Sequence, residues 1–179
     1  MENFRELALR RQSCRNFKEE PVAPELLRRC VETAALAPSG CNSQPWRFTI
    51  VTDAEKRAAL SKIAQEIGLN AWSEKVPAFI VVSEIEEPKL MAKVMDHYHD
   101  AKRFAEGDVG MATAYLVLEA AEQGLATCII GCFTNEEVIK LLGLPEGDTV
   151  RALIAVGYAA DETIRPKQRK PLDEILKTL

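Results

Sequence analysis

The chain has 179 residues, 23 Lys and Arg against 27 Asp and Glu, a formal charge of −4, and 47% hydrophobic and 28% charged residues. That length suits about one domain with its own core, no apolar run approaches the roughly 18 residues of a membrane span, and an acidic balance lacks the broad basic surface of nucleic-acid binders. Cys14, Cys30, Cys41, Cys128 and Cys132 have no C-x-x-C spacing, which speaks against a disulfide framework or a zinc site and for free thiols in a reducing cytoplasm.

In chain order, a helix is expected over 3–10. A second, from Pro24 to Leu36, has Pro at its first position and Leu26, Leu27, Cys30, Val31 and Ala34 on one stripe. Arg10-Arg11 is followed by Lys18, Glu19, Glu20 and Pro21 where an export signal needs an apolar stretch. Trp46 to Thr52 reads as a strand, Asp53 as an N-cap, and Leu60, Ile63, Ala64 and Ile67 as the inner face of a helix ending near Gly68. Ala78 to Ser83 is a second strand. A charged helix is expected from Pro88 to about Phe104, broken by Gly107, with Asp108 starting an apolar helix over Val109–Gln123 closed by Gly124. Thr127–Gly131 is a third strand, Thr134 and Glu137 form a capping box for a helix ending at Gly143, and Thr149–Tyr158 is a fourth strand. Few strands among many helices imply a sheet covered on both faces.

His97 and His99 sit two apart on a helix, facing different sides, which disfavours a shared metal. Cys128 and Cys132 around Ile129-Ile130-Gly131 read as core packing. The nine glycines never show G-x-G-x-x-G or G-x-x-x-x-G-K spacing, so a phosphate, if bound, is held by side chains. Arg11-Gln12-Ser13-Cys14-Arg15-Asn16-Phe17 and Arg165-Pro166-Lys167-Gln168-Arg169-Lys170-Pro171 supply forks, a hydroxyl and a point charge for that purpose. The same residues read equally as solvated terminal charges.

Together with Pro38-Ser39-Gly40-Cys41-Asn42-Ser43-Gln44-Pro45-Trp46, these segments resemble the nitroreductase family of FMN-dependent oxidoreductases. The resemblance implies an α+β, three-layer fold with a central mixed, mostly antiparallel sheet flanked by helices, one FMN-binding domain over 1–179, and a homodimer with FMN at each interface. By the same resemblance Arg11 and Ser13 hold phosphate or ribityl oxygens, Gln12 lines that wall, and Arg15 approaches the N1 and O2 edge of the flavin. Lys167 and Arg169 complete the phosphate site. Pro38, Ser39, Gly40 and Asn42 cover the flavin of the opposite subunit; read from the residues alone, the segment is a helix-to-strand loop with Asn42 and Gln44 serving turn backbone. Asn70 stands where a family Asn bonds the ring, or simply caps a helix, and backbone N–H groups near Ile130 and Gly131 face O4 and N5. The expected activity is transfer of hydride from NAD(P)H through FMN to a small-molecule oxidant, a nitroaromatic or quinone, by a ping-pong mechanism. The alternatives are the same fold with dehydrogenation, dehalogenation or flavin breakdown, or a non-catalytic flavin-binding or anion-binding protein.

Overall fold

The computed structural model describes residues 3–86 and 88–179. Four strands, β1 (Trp46–Val51), β2 (Ala78–Glu84), β3 (Ala126–Ile130) and β4 (Thr149–Gly157), form one sheet in the order β1-β2-β4-β3. All three pairings are antiparallel, with Ile80 opposite Ile154 and Ile129 beside the same residue. A parallel contact enters through the isolated bridge of Ser13 to Thr127.

Alternation along the strands divides the core. Ala78, Ile80, Val82, Ala152, Ile154 and Val156 face α2 (Pro24–Ala34) and α5 (Lys102–Glu122), which contribute Leu27, Cys30, Val109, Leu116 and Ala120. Phe79, Val81, Cys128, Ile130, Leu153 and Ala155 face α3 (Ala54–Ala64) and α6 (Asn135–Leu142). The result is the expected three-layer α+β arrangement. α1 (Phe4–Arg10) begins with a capping box in which Asn3 and Glu6 exchange hydrogen bonds, and it lies along α5.

Four expectations fail locally, two of them simply: α3 stops at Ala64 and leaves Ile67 60% exposed, and Cys132, past the end of β3, is exposed rather than packed in the core. Gly107 does not break a helix: α5 runs through it from Lys102, and the helical part before it is only α4 (Ala92–Tyr98), closed by His99 at φ 54°. A mid-helix glycine costs about 1 kcal/mol against alanine, while Ala105, Asp108, Val109 and Ala112 around it are all buried, so packing outweighs propensity. Thr134 occupies the N-cap of α6 but makes no side-chain cap bond; its hydroxyl instead donates to Glu66 Oε2 at 2.6 Å. The expected capping box, in which Thr134 Oγ1 would accept from a helix N–H, is absent, and the hydroxyl lies against Glu66 instead.

Close packing requires a glycine at 157. A Cβ there would lie 2.6 Å from Pro77 Cγ and 3.0 Å from Phe17 Cδ1, so only glycine lets Phe17 seat against the end of β4. Phe17 then bridges Ala159, which ties residues 11–18 to the chain's last segment. α7 (Leu172–Ile175) lies within that segment and buries none of its residues.

Candidate functional site

Residues 11–18 run extended between β3 and the C-terminal segment. Cys14 N donates to Thr127 O and Lys18 N to Tyr158 O, both at 2.9 Å. Cys14 packs on the α3 and α6 side of the core, and Arg11 lines the groove beside Ile129. The C-terminal segment is fastened along this stretch. Gln12 Nε2 donates to Thr163 O at 2.8 Å, and Gln12 Oε1 accepts from Arg165 N at 3.2 Å and Nε at 3.0 Å. Arg165 Nη2 also donates to Ser13 O, and Lys167 Nζ to Arg11 O.

The electrostatics of this junction are one-sided. Among the described residues, Arg11, Arg15, Arg165, Lys167 and Arg169 take part in none of the ion pairs, which lie at Arg10, Arg28, Arg29, Arg47 and Arg151. Partial burial, followed by the positive charges of Arg11, Arg169 and Arg165, holds the Lys167 ammonium below the ordinary lysine value. Four cations thus converge with no ion pair among the described residues, a donor set that suits an anion. A cavity of about 450 Å³ backs the junction, lined in part by Arg11, Gln12, Cys14 and Tyr158 and, further along the chain, by Asp161 and Glu162.

Arg15 continues the row toward the end of β3. Burial pushes the Cys128 thiol up, opposed by the charge of Arg15, a hydrogen bond from Ser13 and the charge of Arg11, so all three stand close to β3. Ile130, the last residue of that strand, is 3% exposed and points into the core, and Gly131 after it is exposed. Only backbone is therefore presented at this edge. Ile129 is the side chain that looks outward, into an open groove of about 690 Å³ shared with Arg11, Glu106, Gly110, Thr113 and Arg151. Asn70 is left-handed at φ 59° and its Nδ2 donates to Ala64 O at 3.0 Å, which closes α3 and leaves Oδ1 as an acceptor. The turn after it is anchored by the buried Ser61 and Ser73 hydroxyls at 2.7 Å, and Trp72 packs on Phe17 at 6.0 Å.

Pro38, Ser39, Gly40 and Asn42 do not join this cluster within one chain. Gly40 N donates to the buried carboxylate of Asp108 at 3.0 Å, and a Cβ on Gly40 would touch Leu90 and Phe104. Ser39 Oγ accepts from Gln44 N at 3.0 Å. Cys41, Asn42 and Gln44 have φ of 53°, 53° and 47°, a run of left-handed non-glycine residues that costs of order 1 kcal/mol or more each and persists only where surroundings hold it. Asp108 is the holder. Sequence reasoning missed it, and missed Arg165 as the clamp on Gln12 and Ser13; the buried position of an aspartate in an apolar helix was the available signal for the first, and the Arg165-Pro166 junction for the second.

Residues 8–158 match the family model described as the nitroreductase family. Among curated relatives, a protein named NADH dehydrogenase from Thermus thermophilus is 30% identical, over 94% of this chain and 92% of its own length. The crystal structure of a nitroreductase family protein from Streptococcus pneumoniae TIGR4 superposes with a TM-score of 0.87 at 26% identity, covering 99% of this chain and 100% of the other. An oxidised iodotyrosine deiodinase bound to FMN and 3-iodo-L-tyrosine shares the fold with a TM-score of 0.76 at 24% identity, covering 93% of this chain and 94% of the other.

Proposed function

Because the chain belongs to the nitroreductase family, we propose that it is an FMN-dependent oxidoreductase that passes hydride from NAD(P)H to a nitroaromatic, a quinone or a similar small acceptor. We read 1–179 as one flavin-binding domain acting in the cytoplasm, where its five free cysteines stay reduced. The observation that carries the reading is the convergence of Arg11, Arg165 and Arg169 on Lys167, none of them in an ion pair among the described residues. That set fits a terminal monophosphate, and the absence of any dinucleotide fingerprint in the sequence favours FMN over FAD.

When bound, FMN supplies a two-electron carrier, so that NAD(P)H, a proton and a quinone become NAD(P)⁺ and a hydroquinone in two half-reactions at one face. The chain's part is position and charge. Arg11, Ser13, Lys167 and Arg169 hold the phosphate and ribityl end. Arg15, beside β3, would provide a fixed cation for charge that arises near N1 on reduction, and the backbone N–H groups near Ile130 and Gly131 would serve O4 and N5. Asn70 Oδ1 is the free acceptor for a ring N–H.

The site is completed by a second copy, whose Pro38 to Asn42 segment covers the ring and excludes water. Support for a dimer comes from surface that one chain leaves uncovered: Leu172, Ile175 and Leu176 are 56–66% exposed, and Met111, Tyr115 and Ile129 on α5 and β3 are 40–45% exposed. No helix among the described residues is long and apolar enough to cross a membrane.

The deiodinase likeness favours one second reading, reductive dehalogenation on the same flavin. Absorption spectra of the purified protein before and after anaerobic NAD(P)H separate the two. Flavin bands that bleach within a turnover time support the oxidoreductase; bands that persist with NAD(P)H yet bleach with dithionite favour the second reading; FAD alone in the extract, or no flavin after reconstitution, refutes both.

A further inference from the structure

The junction of α4 and α5 carries a cation for which the fold has no use. Arg103, in the first turn of α5, has its guanidinium carbon 5.3 Å from the ring centroid of Tyr98 and 5.5 Å from that of Phe104. The two rings meet edge to face at 5.8 Å, and His97 stacks edgewise on Tyr98 at 4.6 Å. Among the described residues the guanidinium has neither an ion pair nor a hydrogen bond, whereas nearby Glu106 is taken by Arg151 at 3.0 Å and Asp100 accepts from the Arg103 backbone N–H. Aromatic contacts cover the faces of a guanidinium and leave its N–H edge, the part that forks onto an anion, pointing away. Tyr98 is 49% exposed and Met91 62% exposed, so apolar surface lies within the same short stretch of chain.

This cluster stands on the ring-covering segment. A Cβ at Gly40 would meet Leu90 Cδ2 and Phe104 Cβ at 3.7 Å and Asp108 Oδ2 at 3.6 Å, so the start of α5, next to Arg103, packs on residues 38–42. We propose that Arg103, seated on Tyr98 and Phe104, is a specificity-determining subsite for acceptors that are aromatic and anionic, such as nitrobenzoates or quinone carboxylates and sulfonates. The acceptor's ring lies at the flavin while its anionic group meets the Arg103 fork. The proposal rests on the flavin reading of the anion cradle, because only that reading brings residues 38–42 over a ring.

The test compares 4-nitrobenzoate with neutral 4-nitrobenzamide on the FMN-loaded dimer. The ratio of their kcat/KM values is expected to fall about tenfold in Arg103→Ala, the loss of one exposed charge-assisted contact, to be partly restored in Arg103→Lys, and to be unchanged in Lys62→Ala on α3. Independently of turnover, the dissociation constant of 4-nitrobenzoate measured by titration calorimetry on the oxidised protein rises by a similar factor, and the difference shrinks in high salt. An unchanged ratio and unchanged 4-nitrobenzoate affinity overturn the subsite. So does a rise in KM for NADPH but not NADH in Arg103→Ala without any change for 4-nitrobenzoate, which assigns the cation to the donor's 2′-phosphate. Failure of the flavin reading is separate and shows itself in the wild type, as absent FMN or as flavin that NAD(P)H does not reduce.

Discussion

Removing one cation from the 11/165/167/169 cluster changes apo stability and cofactor affinity in opposite directions. Arg11→Gln keeps most of the stem and removes a charge that has no carboxylate partner among the described residues and that contributes to the depression of the Lys167 pKa. Like charges within a Debye length, about 8 Å at physiological salt, repel by about 0.5 kcal/mol per pair in a water-like dielectric. Relieving such repulsions stabilises the apo protein by a few tenths to about 1 kcal/mol, or roughly 1–4 °C in Tm for a chain of this size. The same substitution removes a charge-assisted phosphate contact of about 1.5–3 kcal/mol, which weakens FMN binding about ten- to a hundred-fold. Differential scanning fluorimetry of apo protein and fluorescence titration of FMN read the two signs separately. An apo Tm that falls while FMN affinity holds would refute the idea that these cations are arranged for a dianion.

The pH dependence of FMN affinity carries the same logic: anion binding favours the protonated lysine, so affinity is full at neutral pH and declines as pH rises through the apo pKa of Lys167, which lies below its usual 10.5; Lys167→Arg should shift the decline upward, and a decline identical in that variant points to another group. Arg15→Ala should lower the flavin midpoint potential more than it weakens FMN binding, since phosphate charge is constant through the cycle while charge near N1 is not; an unchanged potential in Arg15→Ala with a shifted one in Arg11→Ala reverses the two roles. Asp108→Ala leaves Gly40 N–H without its acceptor and releases the left-handed run at Cys41, Asn42 and Gln44, at a cost of about 1–3 kcal/mol; faster FMN dissociation is expected, and an unaltered off-rate would detach that segment from the cofactor.

How far the sequence reaches depends on whether a signal is local. The strands and the amphipathic helices α2 and α6 follow apolar periodicity and stand close to where that periodicity puts them. Gly107 misleads because propensity is a local cost of about 1 kcal/mol, whereas what holds α5 together is distant: Ala105, Val109 and Ala112 pack against other elements. Thr134 misleads for the same reason, since the sequence shows a hydroxyl three residues before Glu137 but not the Glu66 carboxylate, 68 residues away in the chain, that takes it. At the site, motif matching places residue types in order but not in space. It brings Arg11 and Ser13 to the C-terminal segment through Gln12 and Arg165, which only the hydrogen bonds reveal as clamps.

The separation of the two halves of the site has a physical cause that argues for assembly. Within one chain, residues 11–15 are anchored on β3 and residues 165–167 on residues 11–13, whereas residues 38–42 are anchored to Asp108 on α5. A single chain therefore gathers these cations and, held elsewhere by a different element, a strained segment that does not join them. Strain of that kind is retained where it is used. If two copies meet through α5 and exchange these halves, each cradle gains a cover, and FMN binding and dimerisation become linked: ligand that binds only the assembled site stabilises the dimer by mass action. Sedimentation velocity of apo and FMN-loaded protein across a dilution series should show the loaded dimer persisting to lower concentration. Equal dissociation in both states would mean that the cover and the cradle do not share a ligand.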